Sequence, residues 1–374
     1  MRSTLFSFAA LALVCSPGAT QTTIEVSGGG DAIAVAVASA KPGDVLLVRA
    51  GSYAGFTVDK GIAILCDPGV QTFAVTHFQS ASVFVRDLPA GELFRLRGLT
   101  IGRDFYFPGL NVEDAVGAVY VEDLVTPRVS VKSSAHVSLN GCDVQGDQAA
   151  ALDIEDSSVC VANSRVATVS FLYATPGMSA ARSRVSLRGS EIRGSDGSMP
   201  LSVAGEAVLA TDSELVFGAG TAGATMLLVA GDPSLPAVLA TNGSVRLDPS
   251  VQFVGAAAVA GSATIDVRPQ PSIDTRGAAA GEVWTVTAHS EVGSTTTTFL
   301  GVPLTPLPTP FGDLWVFPWA GLQLDSGVVG PSGTRTFTFT LPPMPAAIPV
   351  MVQPIAILTS GDLILGAPAG AILN

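Results

Sequence analysis

Charged side chains concentrate in the middle of the chain, where they offer the clearest candidates for chemistry. The carboxylates are Asp143, Asp147, Asp153, Glu155 and Asp156, and the arginines that follow are Arg182, Arg184, Arg188 and Arg193. Paired carboxylates carry glycoside hydrolysis, and clustered carboxylate oxygens are ligands that calcium prefers. Residues 143–193 are therefore where a catalytic or metal site is expected first.

The catalytic candidates are Asp143, Arg165 and Arg188. When residues 137–144 and 159–166 are aligned as repeats, Asp143 and Arg165 fall in the same outward column on successive coils. This pair is either half of an active site or a solvent-exposed ion pair that contributes ~0–1 kcal/mol to stability. The sequence alone leaves both interpretations open.

A calcium site is the hypothesis for Asp147, Asp153 and Asp156. Asp153 and Asp156 are three residues apart, and Asp147 would come from a neighbouring turn. Aspartate is also common in turns between strands, so a purely structural role is the alternative. The sequence predicts no other cofactor.

An aromatic segment is the candidate for binding sugar rings. Phe105, Tyr106 and Phe107 precede Pro108 and Gly109, which indicates a loop. Filling of the hydrophobic core is the alternative role for these side chains. The three histidines are far apart, and no cysteine spacing matches a zinc site.

The composition indicates an extracellular, β-rich protein. The 374 residues are 48% hydrophobic and 13% charged, and the net charge of −12 disfavours nucleic acid and anionic lipid. Residues 1–19 combine Arg2, a short apolar run and small residues, which predicts a signal peptide. No stretch is long enough to span a bilayer. We expect a protein that is secreted, either extracellular or at the cell surface, with no nucleic-acid partner and no membrane span.

The elements that must position these residues begin with a short helix. Asp31 is a suitable N-cap, Ile33, Val37 and Ala40 recur at helical spacing, and Pro42 ends the pattern. Strand-like segments then arrive about every ten residues. Because a stack of parallel strands has an open end that must be covered, the helix is expected to cap the first coil.

A degenerate repeat predicts a parallel β-helix. Four stretches align, at residues 137–144, 159–166, 185–192 and 208–215, and looser copies lie at 96–102 and 245–254. Each of the four has an aliphatic first and last residue, a small sixth residue and a charged seventh residue. Such coils stack their inward side chains about 4.8 Å apart and are expected to be right-handed. The register places Cys142 inward and Cys160 outward, which argues against a disulfide between them.

The last hundred residues have a different sequence pattern. TRTFTFTL, at 334–341, alternates strictly and predicts a half-buried antiparallel strand, and Trp284, Trp315 and Trp319 all lie in this region. The predicted fold class is all-β. It has a right-handed parallel β-helix with a short N-terminal cap helix at residues 20–275 and a small C-terminal antiparallel β-sandwich with a Trp-rich core at 276–374.

The opening of the chain resembles a known family. The similarity to the cap and first coil of pectin-lyase-like right-handed β-helix proteins rests on Ile33 through Ala40, Gly43-Asp44-Val45, Val48, Gly51-x-Tyr53 and Lys60-Gly61-Ile62. The C-terminal segment, with FGDLWVFP and GTRTFTFTLP, is similar to accessory domains of secreted proteins from environmental bacteria such as planctomycetes. The resemblance implies an extracellular polysaccharide as partner and, in active members, arginine or lysine as base with calcium-binding carboxylates. The Gly-His-Gly and Arg-x-Lys signatures of polygalacturonases and the Arg-x-Pro-x-x-Arg run of pectate lyases are absent.

Two functions are compatible with the sequence. The first is a secreted, non-catalytic extracellular or surface-associated β-helix protein that binds carbohydrate. It is favoured by the missing catalytic signatures and by the scarcity of histidine and charged residues. The second is a divergent polysaccharide-active enzyme, a uronate lyase or a glycoside hydrolase, which uses the outward Asp and Arg side chains of the β-helix.

Overall fold

The computed structural model describes residues 21–73, 82–102, 109–147, 149–169, 173–197, 203–218, 226–279, 281–301, 303–316, 322–341 and 348–373. These residues form 37 strands and one helix. Two long sheets consist of parallel strands, and smaller antiparallel sheets follow toward the C-terminus. The predicted all-β class, a parallel β-helix followed by an antiparallel β-domain, is confirmed. The predicted signal peptide at 1–19 lies outside the described residues.

A helix covers the first coil, as the sequence predicts. Helix α1 spans Ala32–Ser39, and its side chains Ile33 and Val37 are 0% and 3% exposed because their spacing places them on the face toward the strands. Asp31 occupies the N-cap position, but its side chain makes no capping hydrogen bond. Packing of the apolar face therefore holds this helix in place. Within the described residues no helix has the length and apolarity needed to cross a membrane.

Each coil of the β-helix passes through three faces in turn. The first face contains β4 (Phe56–Val58), β7 (Val83–Arg86), β10 (Leu110–Glu113), β13 (Val129–Lys132), β16 (Leu152–Glu155), β19 (Met178–Ala181) and β26 (Val259–Gly261). The second face contains β1 (Thr23–Val26), β2 (Val45–Val48), β5 (Ala63–Cys66), β8 (Leu93–Arg97), β11 (Ala118–Glu122), β14 (His136–Asn140), β17 (Ser158–Ala162), β20 (Arg184–Arg188) and β27 (Thr264–Val267). Two long strands, β22 (Val208–Phe217) and β24 (Val238–Leu247), run through both of these faces.

The third face is a separate nine-stranded parallel sheet. It contains β3 (Gly51–Tyr53), β6 (Val70–Thr72), β9 (Thr100–Ile101), β12 (Val125–Thr126), β15 (Asp143–Asp147), β18 (Arg165–Val169), β21 (Glu191–Arg193), β23 (Leu227–Val229) and β25 (Gln252–Val254). Alternate side chains of all three faces point inward and form one continuous apolar core. The coils lengthen between Val119 and Val245. The equivalent positions Val119, Val137, Val159, Val185, Leu215 and Val245 are 18, 22, 26, 30 and 30 residues apart.

Small polar residues at the corners satisfy the backbone where the chain turns. At the corner between the first and second faces, Ser157 Oγ accepts the N–H of Ser134 at 3.0 Å, and Ser183 Oγ accepts the N–H of Ser157 at 3.1 Å. At the next corner, Ser164 Oγ accepts the N–H of Cys142 at 3.1 Å. Each serine follows a residue with left-handed backbone, such as Asp156 with φ 50°. These ladders give the small sixth position of the repeat its physical reason, since a buried N–H needs a partner.

The repeat alignment is confirmed for three copies and wrong for the fourth. Val137, Val159 and Val185 are hydrogen-bond neighbours in register, but Val185 pairs with Leu215 and not with Val208. Val208 pairs with Met178 on the first face. Both corners have a small residue after a residue with left-handed backbone. The motif at 208–215 therefore resembles the corner between the second and third faces, but it lies at the corner between the first and second faces.

The C-terminal β-domain consists of antiparallel sheets packed around a second core. One sheet has the order β28 (Ser272–Thr275), β29 (Val283–His289), β34 (Thr334–Thr340). The other contains β33 (Leu322–Val328), β30 (Thr295–Gly301), β35 (Ile348–Ile357), β36 (Leu363–Leu365) and β37 (Ala369–Leu373), and a hairpin pairs β31 (Pro303–Thr309) with β32 (Gly312–Val316). Strand β28 pairs with β29, although it precedes the domain boundary predicted at 275/276. The domain boundaries themselves stay a prediction.

Two of the three tryptophans have different environments. Trp284 lies in the core of the C-terminal domain, whereas Trp315 packs with Tyr120 and Cys160 of the β-helix. Trp319 lies outside the described residues. The predicted Trp-rich sandwich core therefore holds for Trp284, and Trp315 serves the contact between the two parts of the chain.

Candidate functional site

Part of the outer surface of the second face is buried beneath the C-terminal domain. On strands β11, β14, β17 and β20, nine outward side chains alternate with inward ones such as Val121 and Leu139, yet each of the nine is at most 4% exposed. They are Tyr120, Glu122, His136, Ser138, Asn140, Cys160, Ala162, Ser186 and Arg188. We call this surface the covered wall. The sequence predicts an outward Cys160, and the structure turns it outward but places it in a protein interface instead of solvent.

Small residues allow the C-terminal domain to approach the covered wall closely. Ser138, Cys160 and Ser186 form one outward column on neighbouring strands. Strand β37 packs on this part of the wall. A Cβ atom at Gly370 would collide with Ser138 Oγ and lie 2.8 Å from a ring carbon of Tyr120. Only a glycine opposite a small side chain permits this contact.

Hydrogen bonds join the covered wall to both ends of the C-terminal domain. Asn140 Nδ2 donates to the carbonyls of Thr275 at 2.8 Å and Gly370 at 3.0 Å. Glu122 Oε1 accepts the N–H groups of Gly277 and Ile372, both at 3.1 Å. One carboxylate therefore holds segments that lie 95 residues apart in the chain.

Burial changes the ionisation of two groups at this interface. Burial raises the pKa of Glu122 to about 7, although the N–H of Ile372, nearby Arg97 and the N–H of Gly277 all favour its charged form. Burial lowers the pKa of His289 to about 4, and the positive charge of Arg188 adds to the effect. At neutral pH His289 is uncharged, and Glu122 retains its proton to a higher pH than an exposed glutamate does.

The structure does not bring the three catalytic candidates together. Asp143 and Arg165 are register neighbours on the third face, as predicted, and Glu191 continues the row with its Oε2 3.9 Å from Arg165 Nε. Arg188 lies on the covered wall, 2% exposed, where its Nε donates to the carbonyl of Pro368 at 3.1 Å. A substrate on the third face has no access to Arg188.

The three calcium candidates also lie apart. Asp147 ends β15 on the third face, and Asp153 on the first face has its Oδ2 3.0 Å from an Arg128 nitrogen. Asp156 turns the corner after β16 and is bonded to Arg182 at 2.7 Å, which lowers the pKa of the carboxyl. Among the described residues no group of three or more His, Cys, Asp or Glu side chains is arranged to hold a metal ion. Asp153 and Asp156 instead form separate ion pairs, with Arg128 and Arg182. The aromatic candidates Phe105, Tyr106 and Phe107 lie outside the described residues.

A surface that sequence reasoning did not single out borders the covered wall. On the exposed face of the sheet β28-β29-β34, Thr285 lies opposite Thr338, and Thr287 lies opposite Thr336 with their hydroxyl oxygens 3.0 Å apart. Asp274 continues the row beyond Thr287. We call this surface the threonine face. The alternation in TRTFTFTL is the signal that the sequence offers: it predicts the strand, and its polar positions are the threonines of this face.

A cleft of about 260 Å³ opens on the threonine face. Its lining includes the side-chain positions Asp274, Arg276, Thr285 and Thr287, which together offer carboxylate, guanidinium and hydroxyl groups. Trp284 lies beneath, 1% exposed, and its Nε1 donates to the carbonyl of Arg276 at 2.9 Å. The cleft therefore lies over a buried, fixed side chain. Asp274 Oδ1 already accepts from Asn163 Nδ2 at 2.7 Å, and the Thr287 hydroxyl is bonded to that of Thr336, so a ligand would add to or replace these hydrogen bonds.

Comparison with known proteins adds no relative to these observations. No protein-family model matches the chain, and no curated protein matches it.

Proposed function

We propose that this is a non-catalytic extracellular β-helix protein that binds a hydroxyl-rich polysaccharide on the threonine face of its C-terminal domain. Secretion through residues 1–19 and kinship with pectin-lyase-like proteins are parts of the same proposal. The observation that carries it is the cleft of about 260 Å³, which is lined by Asp274, Arg276, Thr285 and Thr287. A few convergent polar groups in a concave site are typical of sites that orient a small ligand or a sugar unit.

The covered wall supports the non-catalytic part of the proposal. The β-helix surface that holds Arg188 is occupied by the chain's own Pro368, whose carbonyl also accepts from Cys160 Sγ at 3.2 Å. Intramolecular contacts thus fill the positions that a substrate would need. Recognition on the threonine face would depend on hydrogen bonds, because Trp284 is buried and offers no ring for stacking.

A pair of matched variants tests the proposal. Thr287 and Thr297 are both half-buried strand residues, and each has its hydroxyl 3.0 Å from a cross-strand hydroxyl, of Thr336 and Ser326 respectively. In affinity electrophoresis against a panel of neutral and uronate-containing glycans, Thr287→Val should weaken binding about three- to tenfold, which corresponds to one lost hydrogen bond. Thr297→Val, on the other sheet, should leave binding unchanged. Failure of the unaltered protein to bind any glycan, or equal effects of the two variants, would contradict the proposal.

The exposed row Asp143, Arg165 and Glu191 favours a second candidate, a polysaccharide lyase or hydrolase that works on the third face. The register that places these three side chains on successive coils is its support. Assays with pectate and alginate in the presence of calcium would follow unsaturated product by ultraviolet absorbance and hydrolysis by new reducing ends. Arg165→Ala should abolish product while Arg49→Ala, an exposed arginine near the first coil, should not. Absence of product across the panel removes this candidate.

A further inference from the structure

The last coil of the β-helix leaves its core side chains uncovered. One inward column runs through Val137, Val159, Val185, Leu215, Val245 and Ile265. The first five are at most 1% exposed, and Ile265 is 48% exposed. In the neighbouring column the exposed fraction rises from 4% at Leu247 to 61% at Val267. The stack therefore ends with two inward-facing aliphatic residues in solvent.

The opposite end of the stack is closed. Helix α1 packs its buried residues Ile33 and Val37 against the first coil, where Val26 and Val48 are 4% and 1% exposed. Within the described part of the chain nothing covers β27 in this way. The C-terminal domain lies beside the coils, on the covered wall, and leaves the end of the stack free.

Strand β27 also presents unpaired backbone groups. Among the residues that the structure describes, its only strand partner is β24, and the N–H of Arg268 donates back to the carbonyl of Leu247 at 3.0 Å. Because the hydrogen-bonding direction alternates along a strand, the N–H and C=O groups of Ile265 and Val267 point off the end of the stack. An exposed edge of this kind is a template for another strand.

We propose that this end binds a second copy of the same chain, with β27 pairing antiparallel to β27 of the second copy about a two-fold axis at Val267. Charge complementarity selects this register. Asp266 and Arg268 lie on the outer side of the strand, 2.9 Å apart within one chain. With Val267 opposite itself, Asp266 of each copy faces Arg268 of the other. A register centred on Asp266 would oppose two carboxylates.

The same register accounts for the backbone groups. Val267 exchanges two N–H to C=O bonds with Val267 of the second copy, and Ile265 donates to the carbonyl of Pro269 in both directions. Pro269 has no N–H, so the ladder ends there and the edge cannot recruit a longer strand. The interface is therefore closed and self-complementary, which predicts a dimer and no larger assembly.

The first experiment measures mass in solution by light scattering across protein concentration. The unaltered protein should be dimeric at micromolar concentration. Asp266→Arg and Arg268→Asp should each weaken dimerisation about tenfold, because each places like charges opposite one another, and the double variant should restore it. A melting temperature that is the same for all monomers shows that the fold is intact. A protein that stays monomeric, or a dimer that is insensitive to these changes, overturns the proposal.

The second experiment tests the register by oxidation. Directly opposite, hydrogen-bonded positions of an antiparallel pair have Cα atoms about 5.5 Å apart, within the range that a disulfide spans. Val267→Cys should therefore form a cross-linked dimer on mild oxidation. Ile265→Cys, a control on the same strand that is also exposed, faces Pro269 and should not. Equal cross-linking of both variants would show that the chains associate through another edge. Cross-linked species larger than a dimer would show that the association is open-ended.

Discussion

Two outer surfaces of the same coils have opposite chemistry. One surface is the covered wall on the second face, and the other is the exposed row on the third face. In each of three successive coils, a residue of the covered wall precedes a residue of the exposed row by five positions in the sequence. The covered wall has Ser138, Cys160 and Ser186, and the exposed row has Asp143, Arg165 and Glu191. Both surfaces stand on the same apolar core.

The comparison distinguishes the residues that stack the coils from the residues that determine what each outer surface contacts. Stacking requires only the inward columns and the corner serines, so outward positions are free to vary. A small, uncharged column permits close contact with β37, whereas alternating charges keep the third face in water. The outward residues therefore decide which face binds the C-terminal domain.

The largest expected effect comes from filling the contact at Gly370. Gly370→Val would force its side chain into Ser138 and Tyr120, and we expect a loss of about 3 kcal/mol or more of unfolding free energy. Chemical denaturation measures the loss, and limited proteolysis should release the C-terminal domain. Gly330→Val is the control, because a Cβ at Gly330 meets no atom within 4 Å. Equal stability of the two variants would mean that β37 does not pack on the wall.

The next effect concerns pH. The pKa of Glu122 is about 7 in the folded chain and 4.5 ordinarily, so the folded state retains a proton that the unfolded state has lost between these values. This contribution to stability is complete below pH 4.5 and is lost as the pH rises through about 7, on the order of 3 kcal/mol in all. Glu122→Gln keeps an oxygen for the N–H groups of Gly277 and Ile372 and should remove this dependence.

Thermal unfolding at pH 5 and pH 8 measures the difference. The Glu122→Gln variant should gain stability over the unaltered protein at pH 8 and gain much less at pH 5. Glu113→Gln, which changes a carboxylate paired with Arg86 on the first face, should change the unfolding temperature by the same amount at pH 5 and at pH 8. A Glu122→Gln variant that keeps the original pH dependence would show that another group is responsible.

A smaller effect is expected for the buried arginine of the covered wall. Arg188→Ala removes a charged donor to the carbonyl of Pro368 and should cost about 2 kcal/mol. Arg188→Met fills the same space without a charge to desolvate and should recover much of the loss. Urea denaturation distinguishes the two. If both variants equal the unaltered protein, the Arg188 contact contributes nothing to docking.

The smallest effect is expected on the exposed row. Arg165→Ala breaks a contact with Glu191 in which both side chains reach solvent, so the cost should stay below about 1 kcal/mol and shrink further in high salt. Denaturation at low and high ionic strength measures it. A loss as large as that of Arg188→Ala would contradict the contrast between the two surfaces.

The inner architecture could be predicted from sequence because it repeats. Val137, Val159 and Val185 occupy the same inward position in three successive coils, and their register also predicts the correct neighbours Asp143 and Arg165. The copy at 208–215 failed because both corners use the same local chemistry, a left-handed residue followed by a small polar one. Only the hydrogen-bond register distinguishes the two corners.

The site could not be predicted to the same extent because its partners are distant in sequence. An outward Ser138 or Cys160 is compatible with water or with protein, and the residue that decides, Gly370, lies more than two hundred positions away. The separation of the three calcium candidates has a related reason. Asp147, Asp153 and Asp156 are close along the chain, but the coil distributes them over different faces and a corner.

The hydrogen bond between Arg188 and Pro368 has a consequence for biosynthesis. Pro368 leaves the ribosome 180 residues after Arg188, which corresponds to roughly 10 to 40 s of translation. During that interval the second face has no cover. Hydroxyl groups such as those of Ser138 and Ser186 can be hydrated while this surface is exposed. This hydration reduces the tendency of the nascent chain to aggregate before its final strand is made.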